Sequence, residues 1–122
     1  MPSTRTISAN GIDLFVVEEG QGPLVVLCHG WPELSYSWRH QIPAIAAAGF
    51  HVVAPDMRGF GRTSGPADVG AYTVFHNVGD MVALVGAIEN LEVEVDTPAR
   101  IVIDESSGIV VMGENVRVST VA

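Results

Sequence analysis

The sequence predicts an α/β domain: an N-terminal β-hairpin, a strand–helix–strand–helix segment, and a C-terminal antiparallel β meander. Three observations carry that expectation. Asn10-Gly11 separates two β-rich runs, a strong hairpin signal because both residue types tolerate positive φ. Two apolar runs, 24–28 and 51–54, flank a stretch of helical period, the pattern of a parallel strand–helix–strand unit. Near residues 86–91 the apolar period changes from helical to alternating. With 122 residues the chain has the length of one domain, 1–122, composed of segments 1–86 and 87–122.

Thr6–Ala9 and Ile12–Val17 form the expected antiparallel pair, ended by Gly20-Gln21-Gly22-Pro23. Leu24–Cys28 is unbroken and apolar, as in a central strand covered on both faces. Trp38, Ile42, Ile45 and Ala46 follow at helical spacing up to Gly49, with Pro43 either bending that helix or marking its first turn. His51–Ala54 is the next strand, parallel to its predecessor through a right-handed crossover. Beyond a loop rich in Gly, Asp, Ser and Pro, Thr73 is placed to cap a helix with Val74, Val78, Met81, Val82, Val85 and Ile88 on one face. Short alternating runs, at 91–95, 101–103, 110–112 and 116–118, make up the remainder.

Composition narrows the function classes. Hydrophobic residues are 48% and charged ones 16%, too apolar for a disordered chain. Fourteen acids against six arginines give a net charge of -8, which repels phosphate backbones and anionic lipid surfaces, so neither nucleic acid nor membrane is an expected partner. The polar start leads into no apolar signal core, and the expected compartment is the cytoplasm of the producing cell. Cys28 is the single cysteine and reads as a small buried hydrophobe. His29, His40, His51 and His76 fall on separate elements without metal-ligand spacing, so no metal or other cofactor is expected.

The chemistry-bearing residues follow the two parallel strands. Open α/β sheets place ligand crevices at the carboxyl ends of their strands. There stand Cys28-His29-Gly30-Trp31-Pro32-Glu33 and Pro55-Asp56-Met57-Arg58-Gly59-Phe60-Gly61-Arg62-Thr63-Ser64, two loops expected to face each other. A glycine lets the backbone turn sharply and a proline fixes the next turn, so the Trp31 amide can point at a developing oxyanion. These two motifs, with Tyr72-Thr73-Val74-Phe75 and Asp80–Leu84 after them, resemble the N-terminal part of α/β-hydrolases, in the epoxide hydrolase and haloalkane dehalogenase branch, over about residues 5–86. The fold implied is a truncated α/β-hydrolase-like sheet. By that resemblance His29, Gly30, Trp31 and Pro32 are an oxyanion-hole-like loop, with a cis peptide before Pro32. Asp56, Arg58, Gly59, Gly61 and Ser64 shape and brace the opposing loop; read from the residues alone, a carboxylate and a guanidinium at strand ends, Asp56 and Arg58, are a turn-fixing ion pair and not catalysts.

That family next shows a nucleophile elbow, Gly-x-Asp-x-Gly or Gly-x-Ser-x-Gly, between a strand and a helix. The chain contains no such motif. Its nearest match, Asp104-Glu105-Ser106-Ser107-Gly108, reads as a hairpin turn, and no histidine follows His76. The expectation is a protein that is not an enzyme. Ala87–Val93, Pro98–Gly108 and Val111–Ser119 resemble a segment of the bacterial flagellar P-ring protein, an assembly subunit, which implies an artificial chimera without evolved biochemical function. Two alternatives stand beside it: a minimal epoxide or ester hydrolase using Asp104 or Ser106, and a self-assembling β module. A homo-oligomer, either a dimer or a strand-swapped form, is the expected partner state, because a fragment of a larger sheet keeps uncovered edges.

Overall fold

A computed structural model describes residues 2–89 in full and, beyond them, the backbone of 91–95, 99–104, 108–113 and 116–120. The elements in chain order are β1 (Ser3–Ala9), β2 (Ile12–Glu19), β3 (Leu24–Val26), a 3-10 turn (Ser35–Trp38), α1 (Gln41–Ala47), β4 (His51–Pro55), a second 3-10 turn (Val69–Ala71), α2 (Val74–Glu89), β5 (Leu91–Val95), β6 (Ala99–Asp104), β7 (Gly108–Gly113) and β8 (Val116–Thr120). They divide into two compact units, one of residues 1–8 and 12–66, the other of 9–11 and 67–122. The segment boundary expected at 86–87 falls inside the second.

In the first unit the sheet is mixed, in the order β1-β2-β4-β3. Asn10 and Gly11 both have positive φ, as the turn between β1 and β2 requires. β2 alternates as a strand with one covered face should: Ile12, Leu14 and Val16 are buried while Asp13 is exposed. It pairs antiparallel with β4, Val16 opposite Pro55 and Glu19 opposite Val52, while β3 pairs parallel with β4, Leu24 opposite His51. The inner strands are therefore β2 and β4, the latter with Val52, Val53 and Ala54 fully buried, and not the 24–28 run. Among the described strands β3 lies at the sheet edge and is only half-buried. Apolar character does not fix a strand's place in a sheet, which depends on partners distant in sequence.

The crossover from β3 to β4 carries α1, with Pro43 in its first turn, where a missing N–H costs no intrahelical bond. Trp38, expected on the same helix, belongs instead to the preceding 3-10 turn. Ile42, Leu27, Val52 and Ala54 form the core, with Val17, Val25, Trp38, Ile45 and Ala46 packed around it. Each fully buried aliphatic side chain contributes about 1.5–3 kcal/mol.

In the second unit Thr73 Oγ1 accepts a long 3.4 Å bond from the His76 N–H, at the expected cap of α2. The buried residues of α2 are Asp80, Met81 and Leu84, so the covered stripe is rotated from the valine-rich one expected. Buried Asp80 accepts a bond from Asn10 Nδ2 at 2.9 Å, which offsets part of the cost of covering a carboxylate.

The four last strands are antiparallel, as expected, but nested rather than paired in succession. β6 pairs with β7, from Ala99 opposite Gly113 to Asp104 opposite Gly108, and β5 pairs with β8 outside them, from Leu91 opposite Thr120 to Val95 opposite Val116. Three residues join β5 to β6 and two join β7 to β8, so the register shifts by one between the ladders. By register Val93 is the partner of Val118, and Ile101 of Val111. Among the described residues no helix is long and apolar enough to cross a membrane.

Candidate functional site

The loops after β3 and β4 meet, as their positions in the sequence predict. His29 is buried, and its ring joins them: the Met57 N–H donates to Nε2 at 2.8 Å, and Nδ1 lies 2.8 Å from the Gly30 carbonyl. Because Nε2 accepts, the proton belongs on Nδ1, which donates to that carbonyl. The Phe60 ring stands edge-on to the imidazole, 5.3 Å away at 80°. His29 is thus held as a strut, with both nitrogens occupied.

Asp56 is the second link and the more connected one. It is 3% exposed, with Oδ1 accepting from the Ser35 N–H at 2.8 Å and Oδ2 from the Arg62 N–H at 3.1 Å. Ser35 opens a 3-10 turn, whose leading amides lack internal partners, so the carboxylate caps it from the opposite loop. The Asp56 carbonyl accepts from Thr63 Oγ1 at 2.6 Å, and its N–H donates to the Phe15 carbonyl at 2.9 Å.

The 57–64 loop also extends the pairing along β2. Where the β4 ladder stops, the Phe15 N–H donates to Thr63 Oγ1 and the Asp13 N–H to Ser64 Oγ, while the Ser64 N–H returns to the Asp13 carbonyl. Two hydroxyls thereby satisfy strand amides that β4 no longer reaches. Gly59 and Gly61 both have positive φ, and a Cβ on Gly61 would run into Asp56 Oδ2 and Cγ. Arg58 is buried in the same loop.

Gly30 departs from the expected reason for its presence. Its φ is not among the positive ones, and a Cβ placed on it meets nothing within 4 Å. The sharp turn instead involves Trp31-Pro32, whose peptide bond is cis, with the Glu33 N–H closing onto the Gly30 carbonyl at 3.1 Å. The Trp31 side chain is 82% exposed. Cys28, beside this loop, is buried, and burial pushes its thiol up to about 11, so it is no nucleophile near neutral pH.

The other histidines have contacts of their own or are exposed. His51 Nε2 lies 3.2 Å from Glu18 Oε2, whose carboxylate is also paired with Arg5 at 2.8 Å; His76 Nδ1 lies 2.7 Å from Thr73 Oγ1; His40 is exposed. Asp104 belongs to the second unit, opposite Gly108 at the end of the β6–β7 ladder, and Ser106 lies outside the described residues. Ser35 and Thr63, which complete the bracing, were not singled out from the sequence. Ser35 acts through its backbone amide, which every residue but proline possesses; the Thr63-Ser64 pair after a Gly-rich loop is a signal that could have been read.

A family model described as the alpha/beta hydrolase fold matches residues 23–91. An epoxide hydrolase of Caballeronia sordidicola is 53% identical over 83 residues, covering 68% of this chain and 25% of the relative, and epoxide hydrolase A of Mycobacterium tuberculosis is 52% identical over 85 residues, covering 68% and 26%. Among solved structures, an epoxide hydrolase from Vigna radiata superposes with a TM-score of 0.70 at 49% identity, covering 72% of this chain and 29% of that one. The chain spans about a quarter of the length of the curated relatives it matches. With the family model matching more than half of its length and a solved epoxide hydrolase superposing on it, the chain belongs to the α/β-hydrolase fold family.

Proposed function

We infer that this chain is a non-catalytic fragment of an epoxide-hydrolase-like fold: it carries the braced oxyanion-type loop, His29 to Pro32, without the groups that attack a substrate. The observation that carries this reading lies after α2. There β5 leads to another strand, β6, and the described elements that follow are antiparallel ladders, whereas a nucleophile elbow needs a sharp strand-to-helix turn. The pairing of Asp104 with Gly108 supports a hairpin at the nearest sequence match. In enzymes whose catalytic groups act as a unit, losing one typically removes about 10⁴–10⁶ in rate.

On the same reading, residues 87–122 have a separate origin, the flagellar P-ring likeness, and the whole is an artificial chimera without evolved activity. Support comes from the end of the family match at residue 91 and the change there from helix to antiparallel β structure. The outer edges of the two-stranded ladders have no further strand among the described residues, which favours self-association into a homo-oligomer.

The deciding experiment incubates the purified chain with an aryl epoxide and with p-nitrophenyl acetate. Hydrolysis at the buffer rate is expected, unchanged in Ser106→Ala and Asp104→Asn. Saturable turnover abolished by either substitution, or a covalent substrate adduct detected by mass spectrometry, would replace this reading with that of a minimal hydrolase.

A further inference from the structure

We propose that a cavity beside β2 and α1 binds a small amphipathic anion, an alkyl or aryl carboxylate whose apolar body lies within and whose head meets two arginines. The cavity has a volume of about 650 Å³, inside the range of about 300–1,000 Å³ usual for small-molecule sites. Phe15, Leu34, Tyr36 and Ile42 supply apolar walls, and Arg39 and Arg62 are also in the lining. Both arginines are exposed, so their guanidiniums stay accessible to a ligand from solvent.

Each guanidinium is seated on a ring: Arg39 lies 4.3 Å from the centroid of Tyr36, and Arg62 lies 5.2 Å from that of Phe15. Stacking restricts a guanidinium's orientation while leaving N–H donors at its edge, the arrangement suited to a carboxylate. One donor of Arg39 is already used on the Tyr36 carbonyl, at 3.1 Å. The single acid in the lining is Asp56, which is 3% exposed, and its two oxygens accept from the Ser35 and Arg62 amides. In a chain of net charge -8, two of six arginines thus converge on one apolar cavity. A cationic ligand would meet like charge there, and a neutral one would leave the guanidiniums unused. None of His29, Gly30, Trp31 or Pro32 is in the lining, which the two facing loops share only through Leu34, Asp56, Gly61 and Arg62, and the proposal does not depend on the function proposed above.

Octanoate, 1-octanol and octylamine titrated into the purified chain and followed by calorimetry test this. Octanoate is expected to saturate and to bind at least about tenfold tighter than octanol, with octylamine weaker still. Arg39→Gln and Arg62→Gln should each weaken octanoate about five- to tenfold and leave octanol unchanged, while Arg39→Lys and Arg62→Lys, which keep the charge, lose less. Circular dichroism confirms that each variant is folded. Equal affinity for octanoate and octanol, indifference of octanoate binding to both Gln variants, or no saturation below about 10 mM overturns the proposal.

Discussion

The two loops that meet at the candidate site are built on opposite plans. The 57–64 loop is bound to itself and to the sheet, through Phe60 to Met57, Thr63 to Phe60, Gly59 to Ser64 and the hydroxyl contacts with β2. The 29–34 loop closes on itself only at the Gly30 carbonyl, which accepts from the Glu33 N–H and from His29 Nδ1, and is linked to its neighbour by His29 and, through Ser35, by Asp56. The loop whose residues resemble chemistry is therefore the guest, and the loop of apparent spacers is the host.

That asymmetry is strongest at Asp56. Asp56→Ala strips acceptors from the Ser35 and Arg62 amides at a buried position, and a loss of about 3 kcal/mol is expected in urea unfolding. A loss below about 0.5 kcal/mol would mean the loops do not depend on that carboxylate. Gly61→Ala acts on the same group from the other side, adding strain at positive φ and a clash with Asp56, for about 2 kcal/mol by the same measurement. The guest loop supplies the contrast: Gly30→Ala, in open space and without positive φ, should shift stability by less than about 0.5 kcal/mol. A large effect there would place a further constraint on the 29–34 loop.

Legibility from sequence followed the range of the interactions. Asn10-Gly11, the β3–α1–β4 crossover and the encounter of the two loops were readable because local turn chemistry and period decide them. The edge position of β3 was not, since a strand's neighbours are fixed by distant pairing. The covered face of α2 was misplaced because a hydrogen-bonded carboxylate, Asp80, took a position that hydrophobicity assigns elsewhere. In the last third the alternation announced strands, but a nested order and a one-residue register shift depend on which partners meet. At the site, His29 and Asp56 were visible as residue types; that their partners are mostly backbone amides was not, because amides leave no trace in composition.

The buried Cys28 sulfur gives the fold an alkaline limit. An unfolded chain releases this proton near the ordinary value of 9.0, whereas the folded one holds it to about 11. Below pH 9 the associated stabilisation is fully present; it drains away as pH rises and is gone above 11, amounting to about 2–3 kcal/mol. At pH 8 the same shelter turns the lone sulfhydryl into a clock, since an alkylating reagent marks a molecule only during the moments when its interior opens.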